Sequence, residues 1–221
     1  MLFRSHLYQG QSNDCYWHGL FGGIYISHMR LATYAHLIAA EDLANTAAGD
    51  LHAAERLDLD LDGHEDVRLA TAGQVVSVDL AEGAGIGGWD IRPVRHALCA
   101  VMRRRPEAYH GTLRDEEAAT IQAATGSSGQ PASIHERLAM KEAGLAARLH
   151  YDAYERRSGL VRFLAPATDV DGWATAEAIE LGDAVDGAFE IAELGLDRLV
   201  ATRTVAVMTP AGPVEIGRAH V

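Results

Sequence analysis

The sequence is poor in lysine, cysteine and positive charge. Lys141 is the only lysine among 19 basic residues, which stand against 31 acidic residues in a chain of 221. The net charge of −12 repels phosphate groups, so we expect neither nucleic acid nor an anionic membrane as a partner. Two cysteines, Cys15 and Cys99, cannot form a disulfide framework, which favours a cytoplasmic setting.

Long hydrophobic runs are also missing. No run of 18 apolar residues is available to span a bilayer, and the N-terminus lacks the charged leader, apolar stretch and cleavage site of a signal peptide. Side chains that suit ligand binding already occur within the first fifteen residues. We therefore expect Met1 to be an internal methionine of a longer protein. Residues 216–221 can be encoded by a sequencing adapter, and we expect them to be an artefact. About half of the chain is apolar, which predicts a globular core.

The periodicity of apolar residues predicts a helical start and a β-rich remainder. Ser27 is a candidate N-cap for a helix that ends at about Ala48, before Gly49. From Glu55 onward apolar residues alternate with polar ones, and Asp62-Gly63 supplies a turn. Further strands are predicted at Gln74 to Leu80, Ile86 to Ile91, Leu149 to Leu164 and Arg198 to Met208, with a short helix at Val94 to Arg104 and a flexible insertion at 111–133.

Three patterns suggest ligand sites but have simpler explanations. Residues 83–88 match G-x-G-x-x-G, yet a strand-like stretch follows instead of the helix that a dinucleotide site requires, which favours a β-turn. The sequence Asp58-x-Asp60-x-Asp62-Gly63 opens like an EF-hand loop, but its twelfth position is Leu69 and its flanks alternate like strands. Cys15-x-x-His18 lacks a second ligand pair at zinc-finger spacing. We therefore predict no metal site.

The segment from Gln11 to Tyr25 is dense in side chains that suit a sugar. A sugar ring has an apolar C–H face and a fringe of hydroxyl groups, so a good subsite offers an aromatic platform beside polar planar groups. The candidates are Tyr16 and Trp17 for the platform, with Asn13, Asp14 and His18 as polar neighbours. The residues alone leave a second interpretation open, in which Trp17 is buried in an aromatic corner and His18 bonds to backbone.

This segment resembles the fifth sequence motif of family 57 of the glycoside hydrolases, the α-amylases and 4-α-glucanotransferases. Further landmarks follow in the family's order at residues 60–63, 104–110, 141–145, 151–154 and 181–183. The resemblance implies an α+β, mostly β fold: the end of a helical domain at 1–50, then a truncated antiparallel β-sandwich of galactose-mutarotase-like type at 51–221. It places the catalytic carboxylates on a barrel upstream of Met1, so we expect the chain alone to be inactive.

The resemblance also implies roles for the segment. Trp17 would be a platform for α-1,4-glucan at the cleavage site and Asp14 a polar support, while Gln11, Asn13, Tyr16 and His18 would line the substrate. The parent enzyme would be a retaining hydrolase or a 4-α-glucanotransferase without an organic cofactor. The sequence does not decide between hydrolysis and transfer, nor does it reveal the oligomeric state.

Two non-catalytic functions stay open at this point. The sandwich could bind carbohydrate itself, which requires exposed aromatic side chains on it. The candidates are Trp89, Tyr109, Tyr151, Tyr154 and Trp173. Alternatively, the sandwich could be purely structural and support the helical region.

Overall fold

A computed structural model describes residues 2–18, 22–124 and 144–220. The helices are α1 (Leu2–Gly10), α2 (Ser27–Ala48), α3 (Ala108–Ala124) and α4 (Val170–Ala174), with 3-10 turns at Asn13–Cys15, Gly23–Tyr25, Arg92–Val94 and Ala146–Arg148. The strands are β1 (Ala53–Leu57), β2 (Asp66–Ala70), β3 (Gln74–Asp79), β4 (Gly85–Ile91), β5 (His96–Ala97), β6 (Glu190–Leu194), β7 (Leu199–Thr209) and β8 (Gly212–His220).

Helix α2 confirms the strongest helical prediction. It spans Ser27–Ala48 and ends at Gly49, whose φ of 74° is the left-handed conformation that glycine adopts readily. The predicted N-cap is wrong by one residue. Ile26 is the last extended residue and no side chain caps the helix, because Ser27 already has helical geometry. Helix α1 was not predicted, and it packs on α2 with Gly10 against Leu37.

The β region is a sandwich of two antiparallel sheets, with strand orders β1-β2-β3-β4-β5 and β6-β7-β8. The β1–β2 hairpin pairs Leu57 with Asp66 and turns at Gly63, which has a φ of 92°. The two sheets share one hydrophobic core. The first sheet contributes Val67 and Val78 to this core. The second sheet contributes Leu199 and Ala201 of β7, together with Phe189 directly before β6. The predicted α+β, mostly β fold is therefore confirmed.

The glycine-rich pattern at 83–88 forms a turn and the start of β4, as predicted. Its glycines make room for Arg157. A Cβ on Gly85 would lie 2.7 Å from the Arg157 Cβ, and one on Gly87 would overlap the Arg157 guanidinium. That guanidinium pairs with the buried Asp79 at 2.5 Å and with Glu82 at 2.8 Å. The pattern thus serves the packing of an arginine on a sheet.

Two secondary-structure predictions are wrong. The stretch Val94 to Arg104 is not a helix: Arg95 takes a left-handed φ of 51°, which stops a helix, and β5 then pairs with β4. The stretch Leu149 to Leu164 forms only isolated bridges, at Ser158 and Leu164. Its contact with β4 runs partly through the Arg157 side chain and not along a continuous ladder.

The predicted flexible insertion at 111–133 is also corrected in part. Residues up to Ala124 belong to α3, because the stretch contains several alanines and the consecutive acids Glu116 and Glu117, which favour helix. Residues 125–133 lie outside the described part. At the C-terminus β8 extends to His220, and the artefact expected at 216–221 stays a prediction.

The chain divides into two compact units. The first comprises Met1–Met102, Arg156–Ala167 and Ile179–Val221, and it holds α1, α2 and both sheets. The second comprises Arg103–Glu155 and Thr168–Ala178, and it holds α3 and α4. The predicted division into 1–50 and 51–221 stays a prediction, and the compact units follow a different division.

Within the first unit, ion pairs join α2 to the first sheet. Glu41 of α2 pairs with Arg68 of β2, and Arg68 also pairs with Glu55 at 2.8 Å. Arg92 is almost fully buried and lies 3.4 Å from Asp42 and 3.7 Å from Glu41. Helix α2 is therefore attached to the sheet by charged groups that are partly shielded from water.

Asp90 of β4 lies in the same network, and burial followed by repulsion from Glu41 raises its pKa from 3.8 to about 6, against the attraction of Arg92 and Arg68. Between these two values the folded state keeps a proton that the unfolded state releases, so the free energy of unfolding falls as pH rises from about 4 to 6. In Asp90→Asn this titration is absent, so the free energy of unfolding should fall less between about pH 4 and 6 than in the wild type. We expect the difference to be roughly 1 to 2 kcal/mol after allowance for solvent screening.

Urea unfolding at pH 4 and at pH 6.5 measures this effect. Asp50→Asn removes the same type of side chain at an exposed position, two residues after the end of α2, and is the control. An Asp90→Asn protein with the same pH dependence as the wild type would contradict the prediction.

Candidate functional site

The segment between α1 and α2 presents its polar and aromatic side chains to solvent. Tyr16 is 54% exposed and Trp17 is 49% exposed, whereas Cys15, the residue before Tyr16, is buried. The remaining predicted binding residues, Gln11, Asn13, Asp14 and His18, are exposed as well. The structure therefore does not place Trp17 in a buried aromatic corner, and the interpretation as a surface for a ligand is favoured.

Tyr16 is anchored by its hydroxyl group. The Tyr16 hydroxyl donates to the Gly10 carbonyl at the end of α1, and the Tyr16 amide donates to Asn13 O at 3.2 Å. Burial, with smaller contributions from Tyr34 and Cys15, raises the pKa of the Tyr16 phenol, so this donor stays protonated. The hydroxyl is engaged with the backbone, which leaves the face of the ring to meet a ligand.

Trp17 is held through its backbone by the returning part of the segment. The Ile24 amide donates to Trp17 O at 3.0 Å, and Gly23 lies so close that a Cβ there would overlap Trp17 O and come within 3.0 Å of Asp14 O. Gly23 is buried and has a φ of 50°. Only glycine permits this approach without displacement of the Asp14 and Trp17 backbone.

His18 is oriented by an aromatic neighbour. Its ring meets Tyr25 edge to face, with 5.1 Å between centroids and 86° between planes. This arrangement is a preferred geometry for aromatic rings. The polar imidazole edge therefore has a defined direction beside the Trp17 backbone.

The segment cannot supply a pair of catalytic carboxylates by itself. Residues 11–26 contain one acid, Asp14. Retaining glycoside hydrolysis requires two carboxyl groups about 5 Å apart. Asp14 alone does not meet this requirement.

The metal-type patterns have structural explanations in the described residues. Cys15 is buried while His18 is exposed, so the two do not present a common face. Asp58, Asp60 and Asp66 bring carboxylate oxygens within 4.8 Å of one another. The Asp58 carboxylate accepts from the amides of Asp62 and Gly63, each at 3.1 Å, and thereby closes a hairpin turn. The predicted turn is confirmed in place of two flanking EF-hand helices.

The aromatic side chains that a carbohydrate-binding sandwich requires are not gathered on its sheets. Trp89 lies on β4, half-buried, with its Nε1 donating to the Gln74 side chain at 3.0 Å. The other four candidates belong to the second compact unit. This placement does not favour the sandwich as an independent binding module.

The sequence assigned no individual role to Tyr25, the last residue of the segment, or to Arg30, which contacts the segment in the structure. Tyr25 faces His18, and Arg30 donates to the Ile24 carbonyl. Tyr25 closes the aromatic segment and Arg30 lies at the start of the next helix. Their closeness along the chain was the available signal, but the direction of each side chain was not.

Comparison with known proteins decides the family. Residues 58–219 match the family described as alpha-amylase/4-alpha-glucanotransferase, C-terminal, and residues 2–44 match its middle domain. The chain belongs to this family. The resemblance found in the Gln11 to Tyr25 segment is thereby confirmed.

Individual relatives carry both activity names of the family. The chain is 36% identical over 152 residues to alpha-amylase 1 of Dictyoglomus thermophilum, covering 69% of this chain and 20% of the relative. It is 32% identical over 212 residues to the 4-alpha-glucanotransferase of Thermococcus kodakarensis, covering 92% of this chain and 30% of the relative. The chain thus spans less than a third of the length of these family members.

A solved structure supports the fold. The crystal structure of 4-alpha-glucanotransferase from Thermococcus litoralis superposes with a TM-score of 0.75 and 23% identity, over 96% of this chain and 30% of that chain. Separately, no described helix combines the length and the hydrophobicity that crossing a membrane would require.

Proposed function

We propose that this chain is part of an enzyme that hydrolyses or transfers α-1,4-linked glucan, and that it supplies substrate contacts to that enzyme. The observation that carries the proposal is the exposed pair Tyr16 and Trp17. Hydrogen bonds hold both residues in place, and both lie within the region that matches the family. The relatives named alpha-amylase and 4-alpha-glucanotransferase support the substrate class.

The substrate contacts divide by chemistry. The ring of Trp17 stacks on the apolar face of a glucose unit, and the ring of Tyr16 extends this platform. The groups that hydrogen-bond sugar hydroxyls are those of Gln11, Asn13, Asp14 and His18. Aromatic stacking supplies most of the affinity, whereas the polar groups fix the orientation of the sugar.

The catalytic residues of the family are not in this region. The parent enzyme acts with retention through a pair of carboxylates outside this chain, and it needs no organic cofactor. The partner is starch, glycogen or a maltooligosaccharide. A cytoplasmic setting agrees with the two cysteines, both of which are free thiols.

Substitution of Trp17 tests the binding role. We expect the 221-residue chain to bind maltoheptaose without hydrolysing it, and Trp17→Ala to weaken binding at least about tenfold, which corresponds to ~1.4 kcal/mol. Titration calorimetry measures the affinity, and chromatography of the sugar after incubation measures turnover.

Trp173→Ala is the matched control. Trp173 of α4 is exposed to a similar degree, 54%, but belongs to the second compact unit, so its loss should leave the affinity unchanged. Equal affinities of the wild type and Trp17→Ala would contradict the proposal. Loss of binding in Trp173→Ala would move the site to the second unit.

A further inference from the structure

The position of Trp17 depends on a backbone contact that another residue secures. The Trp17 carbonyl accepts from the Ile24 amide at 3.0 Å, and this bond joins the outgoing and returning halves of the segment. Residues 22–26 therefore set where the Trp17 backbone lies. Whatever holds Ile24 in place also holds the proposed glucan platform.

The Arg30 side chain hydrogen-bonds to Ile24 and to a part of the chain that is distant in sequence. Its Nη1 donates to Ile24 O, and its Nη2 donates to Ala100 O at 3.4 Å, seventy residues away. The Arg30 amide also donates to Ile26 O at 3.1 Å, which fixes the residue at the first turn of α2. One planar guanidinium thus ties the substrate segment to the stretch that follows β5, a geometry that suits the fork of arginine.

Burial of part of the Arg30 guanidinium lowers the stability of the fold. Its Nε is buried and has no hydrogen-bond partner among the described residues. A buried polar group without a partner carries a desolvation penalty that an apolar side chain at the same place would avoid. The guanidinium offsets this cost by donating to the carbonyls of Ile24 and Ala100, and it thereby orients Ile24.

We infer that Arg30 is a positioning residue for α-glucan binding, acting through Ile24 on the Trp17 platform. This inference rests on the proposed function for the affected ligand, but the mechanical link from Arg30 to Trp17 does not. Removal of the guanidinium should free the Ile24 carbonyl, weaken the bond between Ile24 and Trp17, and let the platform leave its binding geometry.

Hydrogen exchange and sugar affinity test the inference in the 221-residue chain. In Arg30→Ala we expect the Ile24 amide to exchange at least about tenfold faster, with little change at Ala39 in the buried middle of α2. We expect the affinity for maltoheptaose to fall about fivefold or more. Millimolar guanidinium chloride, at concentrations far below denaturing ones, should restore both quantities, and sodium chloride at equal strength should not.

Two further variants make the result decisive. Arg4→Ala removes the same charge from an exposed position on α1 and should change neither quantity. Arg30→Lys preserves the charge and fold but replaces the planar fork, so we expect an intermediate effect. If Arg30→Lys and Arg30→Ala both exchange and bind like the wild type, the inference is overturned. The same holds if Ala39 accelerates as much as Ile24 and guanidinium rescues neither.

The failure of the proposed function would look different. If the wild-type chain itself does not bind maltoheptaose, the proposed binding role fails. The exchange rate of Ile24 in Arg30→Ala would still decide whether Arg30 positions the segment.

Discussion

Replacement of Gly23 with alanine is expected to disrupt the backbone around Trp17. The new Cβ would overlap the Trp17 carbonyl oxygen and lie 3.0 Å from Asp14 O, in a backbone with a φ of 50°. Both contacts are to backbone, so no side chain can turn aside to relieve them. We expect a loss of about 2 to 4 kcal/mol in the free energy of unfolding, together with loss of maltoheptaose binding.

Gly49→Ala separates the clash from the cost of the backbone conformation. Gly49 also has a positive φ, 74°, but a Cβ there would meet nothing within 4 Å. Its substitution should therefore cost only about 1 kcal/mol and leave sugar affinity unchanged. Urea denaturation and calorimetric titration of both variants provide the comparison. A Gly23→Ala chain no less stable than Gly49→Ala would show that the segment can relax around the methyl group.

Removal of the Arg157 guanidinium is expected to have a similarly large effect on stability. Arg157 pairs with Asp79 and Glu82, and its Nη2 also lies 3.6 Å from Asp60. Asp79 is only 4% exposed, so Arg157→Met would leave a buried carboxylate without its counter-charge. Loss of one partner of a buried pair typically costs about 3 to 5 kcal/mol. Denaturant unfolding of the variant measures this loss.

A double-mutant cycle and a surface pair serve as controls. In Arg157→Met with Asp79→Asn, the uncompensated charge is gone, so the combined cost should fall below the sum of the two single costs. Arg198→Met breaks an exposed pair with Glu193, whose side chains are 52% and 55% exposed, and should cost only about 0 to 1 kcal/mol. If Arg157→Met and Arg198→Met lower the free energy of unfolding equally, the prediction that the buried Arg157–Asp79 pair contributes more stability is contradicted.

Local signals predicted the parts of the fold that local interactions determine. Helix α2 was predicted from helical spacing and the glycine after it, and the first hairpins from alternation and turn residues. The prediction of a strand at Leu149 to Leu164 was wrong because a largely apolar run, such as residues 160–164, is compatible with a strand. Whether it joins a ladder depends on its neighbours in space, and here Arg157 contacts the glycines of β4 instead.

The sequence by itself determined the family and the mostly β fold, because these depend on residue types in a fixed order. The sugar-binding role of the segment from Gln11 to Tyr25 stays a prediction. Only the tertiary structure decided that Trp17 is exposed, that Gly23 abuts its carbonyl, and that Arg30 reaches Ala100. The physical reason is that exposure, steric contact and hydrogen bonding between distant residues depend on the packed chain. Sequence spacing carries no record of that packing.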